Sequence, residues 1–258
     1  MFRLFRKTER ALSGRPDVPL YDLHNHLLAG IDDGAGDSAE SGAILTGLAG
    51  LGFRGICATP HWNHPRFPEP SVEDTARQLQ DLTAIADGLS TGLRNGGEIM
   101  MRDNWVESLR DGRLPTIGGV ALVEFPFRES TVIEGFEHLV FDFQTRGITL
   151  LIAHPERHPD FQRRPGLLER FRARGALLQL DLFSLCGRDG GAAKRLGWHM
   201  VRTGLADVAA TDIHRADSLP LVEQALNALA ARSEKQFVRL LSTNPGHIFC
   251  GHPERLIA

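Results

Sequence analysis

Two histidines one residue apart, His24 and His26, follow an apolar lead-in in the stretch YDLHNHLLAGIDDGAGDSAES, residues 21–41, which also carries Asp32 and Asp33. Imidazole and carboxylate together form a donor set for zinc, manganese or iron. Residues i and i+2 of a strand share a face, so both histidines can grip one centre. Asp212 and His214 repeat that spacing in ATDIH. Taken alone, HNH fits a polar loop as readily as a metal site.

The remaining ligand types stand at the ends of short apolar runs: His61 after ATP, Glu98 in GGEI, Glu124 in LVEF and His154 in LIAH. A lone His or Glu at a strand end is ordinarily a rim residue. Recurrence at the ends of six runs out of seven is a different matter. The set His24, His26, Asp33, His61, Glu98, Glu124, His154, Asp212 and His214 exceeds what one ion needs and fits two or three divalent ions. Gln179 and Asp181 end the other run, LLQLDLF. Asp32 reads as a loop-capping residue, and His64 in HWNHPRF is close enough to line the same pocket. His138, His158, His199, His247 and His252 read as surface or loop residues.

The runs that must position these groups cover residues 20–26, 54–61, 93–99, 119–125, 147–154, 175–183 and 206–214. Most are aliphatic and bounded by glycine or polar turns, as buried parallel strands are. Helically spaced segments lie between them. SAESGAILTGLAGLG is expected to start at a Ser38 cap and to close at Gly52, and SVEDTARQLQ resembles a capping box from Ser71 to Asp74. Alternating strands and helices predict a parallel sheet with right-handed crossovers, and seven repeats favour a closed or nearly closed barrel. Such barrels assemble their chemistry on the C-terminal rim, where these residues stand.

Composition removes several alternatives. A net charge of -3 gives no footprint for nucleic acid. Cys57, Cys186 and Cys250 are widely spaced and odd in number, which suits a reducing, cytoplasmic setting. No apolar run is long enough for a membrane span. Residues 1–19 form a basic extension, with Arg3, Arg6, Lys7, Arg10 and Arg15 among Phe2, Phe5 and Leu12. It reads as a solvated or locally packed segment, with peripheral contact to an anionic membrane as the other reading. Residues 20–258 read as a single domain. GLSTG at 88–92 has the spacing of a serine nucleophile elbow but lies between a helix and a strand in the wrong order. No cysteine has an arginine six residues on to cradle phosphate.

Taken in order, LHNHLLAGIDDGA, ATPH, GGEI, LVEF, AHPER, LQLDLFSLCG and ATDIH resemble the bacterial PHP (polymerase and histidinol phosphatase) domain protein-tyrosine phosphatases of capsule and exopolysaccharide clusters. The resemblance runs over residues 20–252. It implies a distorted seven-stranded (βα) barrel holding two to three divalent ions, manganese foremost, with iron or zinc as alternatives. On that pattern His24, His26, Glu98 and Asp212 hold one ion. Glu98 bridges to a second with Glu124 and His154, and Asp33, His61 and His214 hold a third. His61 joins the catalytic set, and Arg157 of HPER binds substrate phosphate. Two departures stand out. Asp181 replaces the usual asparagine, and Arg215 is the one nearby candidate for a second substrate-binding arginine. The implied activity is hydrolysis of phosphotyrosine on the tail of a membrane tyrosine autokinase. The alternative is a phosphoesterase of a small metabolite such as histidinol phosphate.

Overall fold

The computed structural model describes residues 14–127 and 135–257. The basic residues Arg3, Arg6, Lys7 and Arg10, with the membrane-contact reading placed on them, lie outside the described residues. No helix among the described residues is long and apolar enough to cross a membrane.

The apolar runs become nine parallel strand pieces: β1 Leu20–Asp22, β2 Phe53–Ala58, β3 His61–Trp62, β4 Gly92–Asn95, β5 Glu98–Met100, β6 Val120–Glu124, β7 Thr149–Ile152, β8 Leu177–Asp181 and β9 Val208–Ala210. The surplus over seven has a local cause. The second and third runs each break in the middle. Pro60 has no amide hydrogen to give a ladder, and it separates β2 from β3. Gly96 and Gly97 separate β4 from β5, at a point where a Cβ on Gly97 would lie 2.3 Å from Trp62 Cδ1.

The lower pieces form a three-stranded sheet, β1-β2-β4, and the upper ones a six-stranded sheet, β3-β5-β6-β7-β8-β9. Two broken runs thus contribute to both sheets. The last run returns to the first. Asp212 N donates to His24 O at 2.9 Å, His26 N donates to Ile213 O at 3.0 Å, and Asn25 bridges Ile213 in parallel. Polar side chains fasten this seam. Asp22 accepts from Thr211 N (2.9 Å), Thr211 Oγ1 (2.7 Å) and Asn25 Nδ2 (3.1 Å), and Asn25 Nδ2 also donates to Cys57 O. The middle residue of HNH is therefore a buckle, while its two neighbours on the opposite face are left for chemistry.

β6 is buried on both sides throughout, as a parallel strand under crossover helices must be, whereas β4, at the edge of the three-stranded sheet, stays partly exposed. The first crossover helix spans Ser38–Leu51. Its cap is Asp37, whose carboxylate accepts from Glu40 N, so the expected Ser38 cap is one residue late. Either residue type suits the position, and the chain turns helical one residue sooner. Gly52 closes the helix in a left-handed conformation, and Ser71 caps Val72–Asp81 by accepting from Asp74 N, both as expected.

Candidate metal centre

The ends of the strand runs converge on Glu98, at the head of β5. Its Oε1 is 2.9 Å from His154 Nε2. Its Oε2 is 3.0 Å from His61 Nδ1, 3.4 Å from His24 Nε2 and 3.5 Å from His26 Nε2. Four imidazoles from three strand runs therefore face one buried carboxylate. Asp212 Oδ1 lies 3.3 Å from the Nε2 atoms of both His24 and His26. On the outer side, Asp33 Oδ1 is 3.4 Å from both His61 Nε2 and His214 Nε2. Glu124 Oε1 is 3.8 Å from His154 Nε2. All nine candidate ligands thus come together, in groups whose donor atoms lie within 4.8 Å of one another: His24, His26 and Asp212; His24, Glu98 and His154; His26, Asp33, His61 and His214; and His61, His64 and Glu124. His64 stacks on His61 with ring centroids 4.5 Å apart, which puts it at the same pocket.

The imidazoles are aimed from behind. Asp32 Oδ2 accepts from His26 Nδ1 at 2.7 Å, and Gln179 Oε1 accepts from His24 Nδ1 at 2.9 Å. His214 Nδ1 donates to Asp212 O at 2.9 Å. With Nδ1 engaged, each ring turns Nε2 toward the shared centre, the arrangement in which histidine serves as a metal ligand. Asp32 does cap its loop, accepting from Gly34 N, but it also holds His26 and accepts from His61 N at 2.9 Å. That orienting role was hidden in the sequence, because nothing in DDG says which carboxylate turns inward. His154 and Asp212 have φ of 30° and 48°, a left-handed backbone that costs a non-glycine residue energy and persists where packing enforces it.

Electrostatics sets the character of the cluster. Burial opposes charge on Glu98, yet His24 and His61 hold it well below the usual carboxylate range. Burial pushes Glu124 up to about 8, with Glu98 adding to the effect. Asp33 Oδ1, His61 Nδ1, Glu124 Oε2 and Asp212 Oδ1 are buried without a well-directed hydrogen bond. Orphaned lone pairs in a buried ring of imidazoles and carboxylates fit divalent cations.

Arg157 stands at the edge of this ring on a short turn of helix, Pro155–Arg157. Its Nη1 donates to Asp212 Oδ2 at 2.6 Å and lies 3.7 Å from Asp181 Oδ2, while its Nε is 3.6 Å from Asp189 Oδ1. Asp181 also caps the helix that follows β8 by accepting from Phe183 N at 2.8 Å. Arg215 pairs with Glu40 at 2.8 Å and so braces the loop before the first helix. No ion pair among the described residues joins it to the nine ligands. His158, expected on a surface or loop, is buried beside Arg157. Its Nδ1 accepts from Asp160 N, so Nε2 is the donor to Pro126 O at 3.2 Å.

Residues 20–250 match the family described as capsular polysaccharide synthesis, CpsB/CapC. The chain belongs to that family. Its CpsB/CapC relatives include tyrosine-protein phosphatase YwqE of Bacillus subtilis, 30% identical over 87% of this chain and 89% of the relative. Tyrosine-protein phosphatase CpsB of Streptococcus pneumoniae is 26% identical over 89% of this chain and 98% of its own length. Among solved structures, one describing YwqE of Bacillus subtilis and CpsB of Streptococcus pneumoniae as metal-dependent tyrosine phosphatases matches with a TM-score of 0.79 at 27% identity. That match covers 93% of this chain and 100% of the matched one. The α/β fold with a curled parallel sheet is thus shared with CpsB/CapC phosphatases that depend on metal.

Proposed function

We propose that this chain is a metal-dependent protein-tyrosine phosphatase of capsule or exopolysaccharide synthesis, acting in the cytoplasm on the phosphorylated tail of a membrane tyrosine kinase. The observation that carries the reading is Arg157, donating at 2.6 Å to a carboxylate of the cation-type cluster. A half-buried guanidinium at the lip of such a cluster is the fork a phosphate dianion requires. In this reading residues 20–258 form one distorted seven-stranded barrel of the PHP type, with the broken second and third runs counted once each. His24, His26, Asp33, His61, Glu98, Glu124, His154, Asp212 and His214 would hold two or three ions, manganese foremost.

Divalent cations held there supply Lewis acidity toward phosphoryl oxygens and acidify water. The chain's own groups do the rest. Arg157 binds a phosphoryl oxygen and offsets the charge that grows on it. Asp212 fixes the guanidinium, so little orientation is lost on binding. Asp32 and Gln179 keep two imidazoles in one tautomer. A phenol has a pKa of about 10, so a tyrosine leaving group needs less protonation than an alkoxide. That matches a site whose inner acids are committed to histidines.

The test is elemental analysis beside hydrolysis of a phosphotyrosine peptide, repeated after chelation and after manganese is restored. Two or three metals per chain with restored activity is the expected result. Turnover of histidinol phosphate alone would move the substrate to a small metabolite. A chain without stoichiometric metal would overturn the reading.

A further inference from the structure

Phe127 is an exposed aromatic residue at the lip of the centre. It follows Glu124, the ligand-type residue that ends β6, by three positions, and 42% of its surface is open. Its ring lies nearly parallel to His154 (centroids 6.3 Å, 11°) and to His158 (5.7 Å, 19°). The Arg157 guanidinium carbon stands 5.9 Å from the same ring. His158 holds the carbonyl of Pro126 and so fixes the backbone next to the ring. Burial lowers the pKa of His158, so the imidazole stays neutral, with Nδ1 accepting from Asp160 N and Nε2 donating to Pro126 O.

An exposed phenyl group beside a phosphate-binding arginine has a chemical use. The Phe127 ring, 5.9 Å from the guanidinium carbon, is within reach of the ester group of a phosphate held by Arg157. A flat aryl ester finds an aromatic face there, whereas a seryl chain finds little area to stack on. The other aromatic at the lip, Phe67, is already stacked on His61 (5.2 Å) and His64 (4.8 Å), with Arg66 over the ring.

We infer that Phe127 is a specificity-determining residue that selects aryl over alkyl phosphate esters by stacking on the leaving group; this deepens, and rests on, the phosphatase reading above. The experiment uses the manganese-loaded full chain and its Phe127→Leu, Phe127→Trp and Phe67→Leu variants. kcat/KM is measured on a phosphotyrosine peptide and on the same peptide with phosphoserine, and binding of phenylphosphonate and methylphosphonate is measured by calorimetry. Phe127→Leu should lose about three- to tenfold on the aryl ester, the range one aromatic contact supplies, with the seryl ester unchanged. It should also lose the preference for phenylphosphonate, and Phe127→Trp should restore both. Loss of the preference in Phe67→Leu instead, or its persistence in Phe127→Leu, overturns the inference while phosphotyrosine turnover leaves the phosphatase reading standing. If the wild-type chain turns over neither peptide, that reading fails. The phosphonates then decide the inference alone: an aryl preference that depends on Phe127 upholds it, and equal or absent binding ends it.

Discussion

Arg157 Nη1 and Asp212 Oδ2 are 2.6 Å apart, while the other oxygen of Asp212 faces His24 and His26 at 3.3 Å. One carboxylate is thus divided between the candidate metal cluster and the arginine proposed to bind phosphate. Arg157→Ala should lower kcat/KM on a phosphotyrosine peptide by about a hundredfold or more, the usual cost of removing one preorganised donor. Metal content should stay at the wild-type level, because a guanidinium only donates and offers no lone pair to a cation. Arg157→Lys should recover part of the loss, since lysine keeps the charge without the planar fork. Metal loss in Arg157→Ala, seen by elemental analysis, would show that the arginine supports the cluster rather than the substrate.

Asp32 is bound to His26 Nδ1 at 2.7 Å and to the amide of His61 at 2.9 Å, so one side chain aims one imidazole and anchors the strand of another. Asp32→Asn keeps the shape and weakens the grip on the imidazole. Metal affinity, read by competition with a chromogenic chelator, should fall roughly tenfold to a hundredfold, the range for such orienting partners. Unchanged affinity would mean that packing alone holds the His26 ring.

The grouping of the candidate ligands was legible in the sequence because all but Asp33 stand at the ends of strand runs. An aliphatic run followed by His, Glu or Asp fixes both depth and direction of the side chain, and all nine residues met at one place. The partners behind the rings were not legible. Gln179 lies 155 residues from His24, and no periodicity relates them. Asp32 and Asp33 are adjacent and identical in type, so only the loop's backbone decides that Asp32 turns back to His26 while Asp33 faces His61 and His214. The breaks in the second and third runs were marked by Pro60 and by Gly96-Gly97, but the division into two sheets comes from long-range pairing. His158 looked like a loop histidine because its burial depends on Phe125 and Phe161, which pack around it from separate segments.

The charge state of the centre yields a pH prediction for the metal-free chain. Burial opposes protonation of His24, but Glu98 and Asp212 outweigh it and lift the pKa from 6.5 to about 10. Burial likewise opposes His26 and His61, yet Asp32 lifts the former to about 9 and Glu98 the latter to about 11. A raised histidine pKa stabilises the fold fully below the unfolded value and is lost as pH climbs through the folded one. The melting temperature of metal-free protein should therefore fall between pH 8 and pH 11, and saturating manganese should flatten the decline, because the cation replaces the protons as countercharge. Metal loading near pH 7 should also release protons, visible as a buffer-dependent heat in calorimetry. A flat melting profile without metal would mean that the imidazoles are already neutral.

Asp181 shares the pH slope of these histidines but works against the fold where they support it. Burial, reinforced by Asp212, Asp189 and Glu156, raises its pKa well above the ordinary carboxylate value, and Arg157 opposes the shift. Arg157 is shared with Asp212 and Asp189, so it offsets only part of that cost. A carboxyl whose folded pKa is raised loses stability as pH rises from its unfolded pKa toward the folded one. Asp181→Asn removes the charge, and its side-chain oxygen still accepts from Phe183 N. The metal-free variant should melt above the wild type at pH 8, by about 2–4 °C for each kcal/mol recovered in a chain of this size. The gap should close as the pH falls toward 5, where the wild-type carboxyl is already protonated in the fold. A variant that melts below the wild type at pH 8 would show that Asp181 is ionised in the fold and that its contact with Arg157 outweighs burial.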